Sequence, residues 1–246
     1  MPSGIVVRSV RRRLSVTRRK VLELSASRLA KSYALPTIKL DALVPGSEVE
    51  IEPRIPEQIC LPPMGTKQHD DFTPLMKIAR SLDAALIVEL GTAHGNTVAN
   101  LCRQCPAARV FTVNAPATQQ TGRLTTFALT VEEIGSVYRS HGYGPRVTQL
   151  FENTLKLDLS RHCTEGSVDL AVIDACHDTR YVINDFERVY PYVKRRGIVL
   201  LHDTHPSMSG HLIGSYTACM QLRKRGFDIR HLEDTWWGVW SPEYRA

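Results

Sequence analysis

What this chain lacks narrows it first. None of its apolar runs comes near the roughly 20 residues that a membrane-spanning helix needs. It has only six cysteines in 246 residues. That is no disulfide framework for a chain this long, and it points to reduced thiols in a cytoplasmic protein. Cys102 and Cys105 form a lone CxxC with no second pair to complete a zinc site. No internal repeat is visible. Residues 1–31 are nearly free of acid, with Glu23 alone against nine Lys or Arg. They also lack the apolar core, about 7–15 residues long, of a secretory signal.

That asymmetry explains the formal net charge of +6. The first 31 residues carry a balance of +8. The remaining 22 basic and 24 acidic residues carry −2. The body is therefore near neutral, and the excess charge belongs to a tail rather than to a nucleic-acid-binding face. Such a tail suits a transit peptide, an arm on an anionic surface, or a solvated extension. We divide the chain into this tail (1–31), a Pro-rich wrapping segment (32–70) and a main domain (71–246). An apolar fraction of 43% is ample for one core.

Within the main domain, strand-like and helix-like stretches alternate. A helix is expected near Phe72 to Ser81, with Asp71 or Thr73 as its cap and Pro74 in its first turn. Apolar runs mark strands at Ala85–Leu90, Arg109–Val113, Val147–Phe151, Val168–Ile173 and Ile198–Leu201. Helices are expected from the GTAHGNT turn to about Cys105 and over Val131–His141, Tyr181–Val193 and Ser209–Arg225. Two last strands, Phe227–Leu232 and Trp237–Trp240, leave no room for a crossover helix, so one of them should run antiparallel. The expected fold class is α/β: a Rossmann-like, doubly wound, mostly parallel seven-stranded sheet with an antiparallel strand near the C-terminus. Trp236, Trp237 and Trp240 suit core and cross-strand pairing better than a substrate wall.

The stretch 168–206 concentrates ionisable groups. One strand ends on Asp174 with His177, and the next on His202, Asp203 and His205. Ligands of open α/β sheets sit outside the carboxyl ends of the strands. Two matching clusters at that edge suggest a site rather than two polar caps. His177 has the ordinary imidazole range of a general base at neutral pH. Earlier, IVELGTAHGNT (87–97) passes from a strand into a helix. Gly91 permits a sharp turn, Gly95 permits close approach of a ligand, and the helix start offers free N–H groups. The spacing is neither the dinucleotide fingerprint GxGxxG nor a P-loop.

Glu89-x-Gly91-x-Ala93-x-Gly95 resembles motif I of the class I S-adenosylmethionine-dependent methyltransferases, with Ala93 at the middle glycine. The resemblance spans about residues 70–241. IDACHDTRY followed by LLHDT is similar, more finely, to small-molecule O-methyltransferases and the related cephalosporin-hydroxylase-like group. It implies S-adenosyl-L-methionine as cofactor, with Glu89, Gly91, Thr92, Ala93 and Gly95 about its methionine part. Asn114 takes the place of the usual ribose-binding acid. Asn153, beside Glu152, falls near the adenine, and Asp174 borders the cofactor. It further implies a divalent cation held by Asp174, Asp203 and His202. Magnesium is the family's ion, and His202 suits zinc, iron or manganese better. Asp174 and His177 would be the catalytic pair, with His177 as base. The implied activity is methyl transfer to a hydroxyl of a small-molecule acceptor. The alternatives are a metal-dependent hydroxylase-like relative, or a protein that binds nucleic acid or a membrane surface through its tail. Homo-oligomerisation is left open.

Overall fold

The structure, a computed structural model, describes residues 35–46, 48–56, 70–119, 129–205 and 213–243. The basic tail lies outside the described residues, as do positions 57–69 and much of the loops 114–129 and 204–212. In chain order the strands are β1 (Thr37–Ile38), β2 (Leu86–Leu90), β3 (Arg109–Asn114), β4 (Val147–Phe151), β5 (Val168–Ile173), β6 (Val193–Leu201), β7 (Arg230–Leu232) and β8 (Gly238–Trp240). The helices are α1 (Leu40–Leu43), α2 (Phe72–Ser81), α3 (Asn96–Gln104), α4 (Ser136–Ser140), α5 (Thr179–Val189) and α6 (Ile213–Lys224).

The strand order is β1-β7-β8-β6-β5-β2-β3-β4. All neighbours are parallel except β8, which runs antiparallel to both β6 and β7. The seven expected strands are present. An eighth, β1, comes from the Pro-rich segment and pairs in parallel with β7 at the sheet edge. A strand of two residues has no period to read, which is why the sequence hides it.

Some boundaries differ from expectation for local reasons. The helix expected over 181–193 ends at Val189, because Pro191 turns the chain through a 3-10 turn, Tyr190–Tyr192. Strand β6 then begins at Val193, earlier than expected, and accommodates a register shift against Val168 and Leu170 of β5. Only Ser136–Ser140 of the helix expected over 131–141 is helical, since Gly135 takes a left-handed φ of 73°.

Every residue of β5 is buried, including Asp169. Its carboxylate is satisfied there by the N–H groups of Ala85 (3.0 Å) and Leu86 (2.9 Å) and by Lys194 Nζ (2.7 Å). One face of the sheet packs on α2, α3 and α4 through Met76, Ile78 and Leu101. The other packs on α5 and α6 through Phe186, Tyr216 and Leu222. Each such fully buried side chain contributes roughly 1.5–3 kcal/mol. Trp237 joins the first layer and Trp240 the second, where its ring meets Phe186 edge-on at 5.3 Å.

Residues 52–56 run along one face of α3. Asn96 Nδ2 donates to the Pro56 oxygen (2.7 Å). Asn100 accepts from and donates to the backbone of Ile55 (2.8 and 3.3 Å). Gln104 does the same with Glu52 (2.8 and 2.9 Å). These amides recur every four residues, so the helix offers one row of partners to an extended chain. The winding reverses between β2 and β5, and the carboxyl ends of strands at such a point are where open α/β sheets bind ligands.

Candidate functional site at the carboxyl edge of the sheet

Strand β2 delivers the glycine turn to this edge. Gly91, at φ 107°, donates its N–H to the Val113 oxygen (2.8 Å). A Cβ at Gly91 would lie 2.2 Å from the Asp174 oxygen, so the turn and the end of β5 touch backbone to backbone. Asp174 N–H in turn donates to the Leu90 oxygen (2.8 Å). Gly95 caps α3 at φ 81°. Its open face meets Tyr138 Cδ1, 2.7 Å from where a Cβ would stand. That glycine therefore admits the packing of α4, a role distinct from the ligand approach expected of it.

Ala93 occupies the middle-glycine position at φ 45°, a conformation that costs a residue with a Cβ roughly 1–2 kcal/mol. Two bonds hold it there. Its N–H donates to Asn114 Oδ1 (3.1 Å), and its oxygen accepts from Gly135 N–H (2.9 Å). Asn114 also donates through Nδ2 to the Ala115 oxygen (3.1 Å). Asn114 thus spends its side chain on the turn itself.

Beneath the turn lies a polar chain that the sequence did not announce. Thr112 Oγ1 donates to Glu89 Oε2 (2.5 Å) and stands 2.7 Å from Thr92 Oγ1. Gln149 Nε2 donates to Thr92 Oγ1 (3.0 Å) and to the Thr112 oxygen (3.2 Å), and Tyr138 Oη donates to Gln149 Oε1 (3.2 Å). Glu89 is 1% exposed. Burial pushes its carboxyl up to about 8; the Thr112 bond opposes this and the Asp174 charge adds to it. Asn153 caps the turn after β4 by accepting from Leu155 N–H (3.0 Å). It lines a cleft of about 310 Å³ with Pro116, Gln119, Phe151, Glu152 and Lys156.

The ionisable residues converge as expected from their strand ends. His177 Nε2 lies 2.9 Å from Asp203 Oδ2 and 3.4 Å from Asp174 Oδ1. His202 Nδ1 lies 3.2 Å from Asp174 Oδ1 and 3.5 Å from Asp203 Oδ1. Asp203 is 5% exposed, has a left-handed φ of 55°, and its Oδ1 receives no hydrogen bond from a described residue. Among the described residues, the group whose ligand atoms all fall within 4.8 Å of one another is Asp174, His177 and His202. His177 thus stands in that group in the place expected of Asp203.

Charge explains the protonation of the cluster. Burial alone would lower the His177 imidazole, but hydrogen bonds and charge from Asp174 and Asp203 lift it to about 9. For His202, burial is likewise outweighed, by the charges of Asp174 and Asp203 and by bonds to Asp174 and Asp71, which hold it well above the ordinary imidazole range. Burial would raise Asp174, yet the two histidines keep its carboxyl far below the usual range.

Asp71 is the site residue that sequence reasoning missed. It is 131 positions from its partner His202, whose Nε2 lies 3.2 Å from Asp71 Oδ2. No local pattern carries that signal.

Among the described residues, no helix is long and apolar enough to cross a membrane. Residues 88–204 match the family model described as a methyltransferase domain. A comparison with curated proteins gives no match. Among solved structures, the fold is similar to a candidate caffeoyl-CoA O-methyltransferase from Staphylococcus aureus. That similarity has a TM-score of 0.52 at 14% identity, over 67% of this chain and 78% of that one. It is also similar to an S-adenosylhomocysteine-bound methyltransferase from Podospora anserina, with a TM-score of 0.52 at 16% identity, over 69% of this chain and 77% of that one. At such identities the likeness concerns the fold. Residues 88–204 are thus similar to a methyltransferase domain, and the fold agrees with that likeness.

Proposed function

We propose that the protein transfers the sulfonium methyl of S-adenosyl-L-methionine to a hydroxyl of a small-molecule acceptor. The observation that carries this is the contact between Gly91 and Asp174: the cofactor turn and the His/Asp cluster share one edge. Gly91, Thr92 and Ala93, with Asp174 beside them, would hold the methionine part of the cofactor, and Asn153 with the cleft beside it would take the adenine. With Asn114 committed to Ala93, the ribose is held less by that side chain than in the family pattern.

The acceptor oxygen attacks the methyl carbon in line. The C–S bond breaks, S-adenosylhomocysteine leaves, and the hydroxyl proton passes to His177. A base lifted to about 9 is increasingly deprotonated as pH rises toward that value. Positioning supplies much of the rate. Asp174, His202 and Asp203 are the residues that would hold a divalent cation. The donor set mixes nitrogen and oxygen, which suits a transition metal better than oxygen-seeking magnesium. Such an ion would stabilise the acceptor oxyanion.

Calorimetry with S-adenosylhomocysteine and with NAD tests the cofactor: the first should bind and the second should not. Release of S-adenosylhomocysteine from S-adenosylmethionine over a panel of phenols and catechols tests the reaction, and His177→Gln should lower it at least about 100-fold. A second reading, a metal-dependent hydroxylase-like relative, draws on the two imidazoles and one carboxylate of Asp174, His177 and His202. Acceptor-dependent oxygen consumption with ferrous iron and no methyl transfer would favour it.

The division into tail, wrapping segment and domain is part of the proposal, as is a reducing, cytoplasmic setting for the thiols. Binding of nucleic acid or an anionic membrane through residues 1–31 would be lost on their deletion.

A further inference from the structure

Helix α5 touches two parts of the molecule that its sequence does not link. It begins at Thr179, just after His177, and Asp178 caps it by accepting from Arg180 N–H (3.1 Å). Further along, it reaches the segment that follows β4. Asn184 Nδ2 donates to the Thr154 oxygen and to Asp185 Oδ1, each at 3.0 Å. Arg188 stands four residues on, on the same helix face. Its Nη1 donates to the Leu157 oxygen and its Nη2 to the Leu155 oxygen, each at 3.0 Å. Between them Asp185 is fully buried and bonds the Thr154 side chain. One helix thus holds the carbonyls of Thr154, Leu155 and Leu157. Within that segment Thr154–Lys156 is a 3-10 turn capped by Asn153. Asn153, Lys156 and Asp158 line the cleft beside it.

We propose that Asn184 and Arg188 are positioning residues for this cleft, which fix the 154–157 turn on α5 and so set where Asn153 and its backbone meet the adenine. A 3-10 turn has poor internal hydrogen-bond geometry. This one keeps only Lys156 N–H to the Asn153 oxygen (2.8 Å) and Leu157 N–H to the Thr154 oxygen (3.3 Å). Its place therefore depends on outside partners. A guanidinium, with donors in a rigid fork, suits the bridging of two carbonyls. Neither Asn184 nor Arg188 lines the cleft itself, so their effect on a ligand passes through the turn. Because α5 is one continuous helix, it also fixes the distance between the cleft and the His177 turn. The inference rests on the adenine reading given above and adds to it two residues that reading does not use.

The test uses the full chain and two ligands, S-adenosylhomocysteine and S-inosylhomocysteine, in which oxygen replaces the adenine amino group. Calorimetry gives the ratio of their affinities, and the wild type should prefer the first. Arg188→Met and Asn184→Ala should each shrink that ratio by about fivefold, the worth of one hydrogen bond. Arg146→Met is the structural control. Arg146 makes the same kind of clamp at the other end of β4, on the oxygens of Cys102, Cys105 and Ala108. Its loss should lower the thermal midpoint and leave the ratio unchanged. Amide hydrogen exchange without ligand reads the clamp separately: Lys156 and Leu157 should exchange faster in the two α5 variants and not in Arg146→Met. An unchanged ratio in both α5 variants, or an equal fall in Arg146→Met, would overturn the positioning role. A wild type that binds neither ligand would sink the cofactor reading and the adenine role with it, and the exchange rates would still decide whether α5 holds the turn.

Discussion

The backbone oxygen of Asp174 lies where a Cβ on Gly91 would need to be, with 2.2 Å between them. The glycine turn and the His/Asp cluster are therefore built against each other, and neither can move alone. A side chain at position 91 would have to part β2 from β5 at their carboxyl ends. Gly91→Ala should cost more than about 2 kcal/mol, since clash adds to the strain of a positive φ. Gly46 has a similar φ of 88° and open space about it, so Gly46→Ala should cost only about 1 kcal/mol. Chemical denaturation of both variants compares strain with strain plus clash. Equal losses would show that the Gly91–Asp174 contact yields.

Gln149→Leu should weaken both the fold and S-adenosylhomocysteine binding. It removes the donor to Thr92 Oγ1 and the acceptor of Tyr138 Oη. Buried polar groups left without partners cost about 1–3 kcal/mol each. The loss should appear in calorimetric affinity as well as in the unfolding midpoint, because Thr92 belongs to the turn. Unchanged affinity would mean that the polar chain supports the sheet alone.

Glu89 makes stability fall as pH rises. Its folded-state value, raised from 4.5 to about 8, favours the protonated form. The contribution is fully present below about pH 4.5 and is lost as pH rises through 8. The slope in that window should approach at most about 1.4 kcal/mol per pH unit. Glu89→Gln keeps the shape and an acceptor for Thr112, so it should flatten this part of the profile. Denaturation midpoints taken from pH 5 to 9 decide it; parallel profiles for the two proteins would rule Glu89 out as the source.

The wrapping segment should matter where the tail does not. A chain beginning at residue 35 should keep a cooperative thermal transition, because the excess charge of residues 1–31 opposes a core of their own. Asn100→Ala should lower stability by roughly 2 kcal/mol, since Ile55 loses a partner for its buried N–H and its oxygen. Removal of residues 35–56 should lower it further, exposing the faces that bury Ile38 and Ile55. Scanning calorimetry on the three proteins ranks them, and a tail deletion as harmful as the strap deletion would reverse the division.

Much of this molecule was determined locally. Runs such as VDLAVI and the period of α5 specify strand and helix through side-chain alternation and burial. The abrupt change from Ile173 to Asp174, and from Leu201 to His202 and Asp203, marks where strands leave the core. Parallel strands must end on one edge, so the convergence of these residues with Gly91 followed from pattern alone. Tertiary structure decided what no local period encodes. It brought Asp71 to His202, turned Asn114 back to hold Ala93, and filled the open face of Gly95 with Tyr138. It also drew Thr37 and Ile38 out of a Pro-rich stretch to pair with β7. In each case the partner lies between 21 and 194 residues away. Sequence sets φ and ψ and the apolar rhythm; which polar groups meet depends on how distant elements pack, and that is a property of the whole fold.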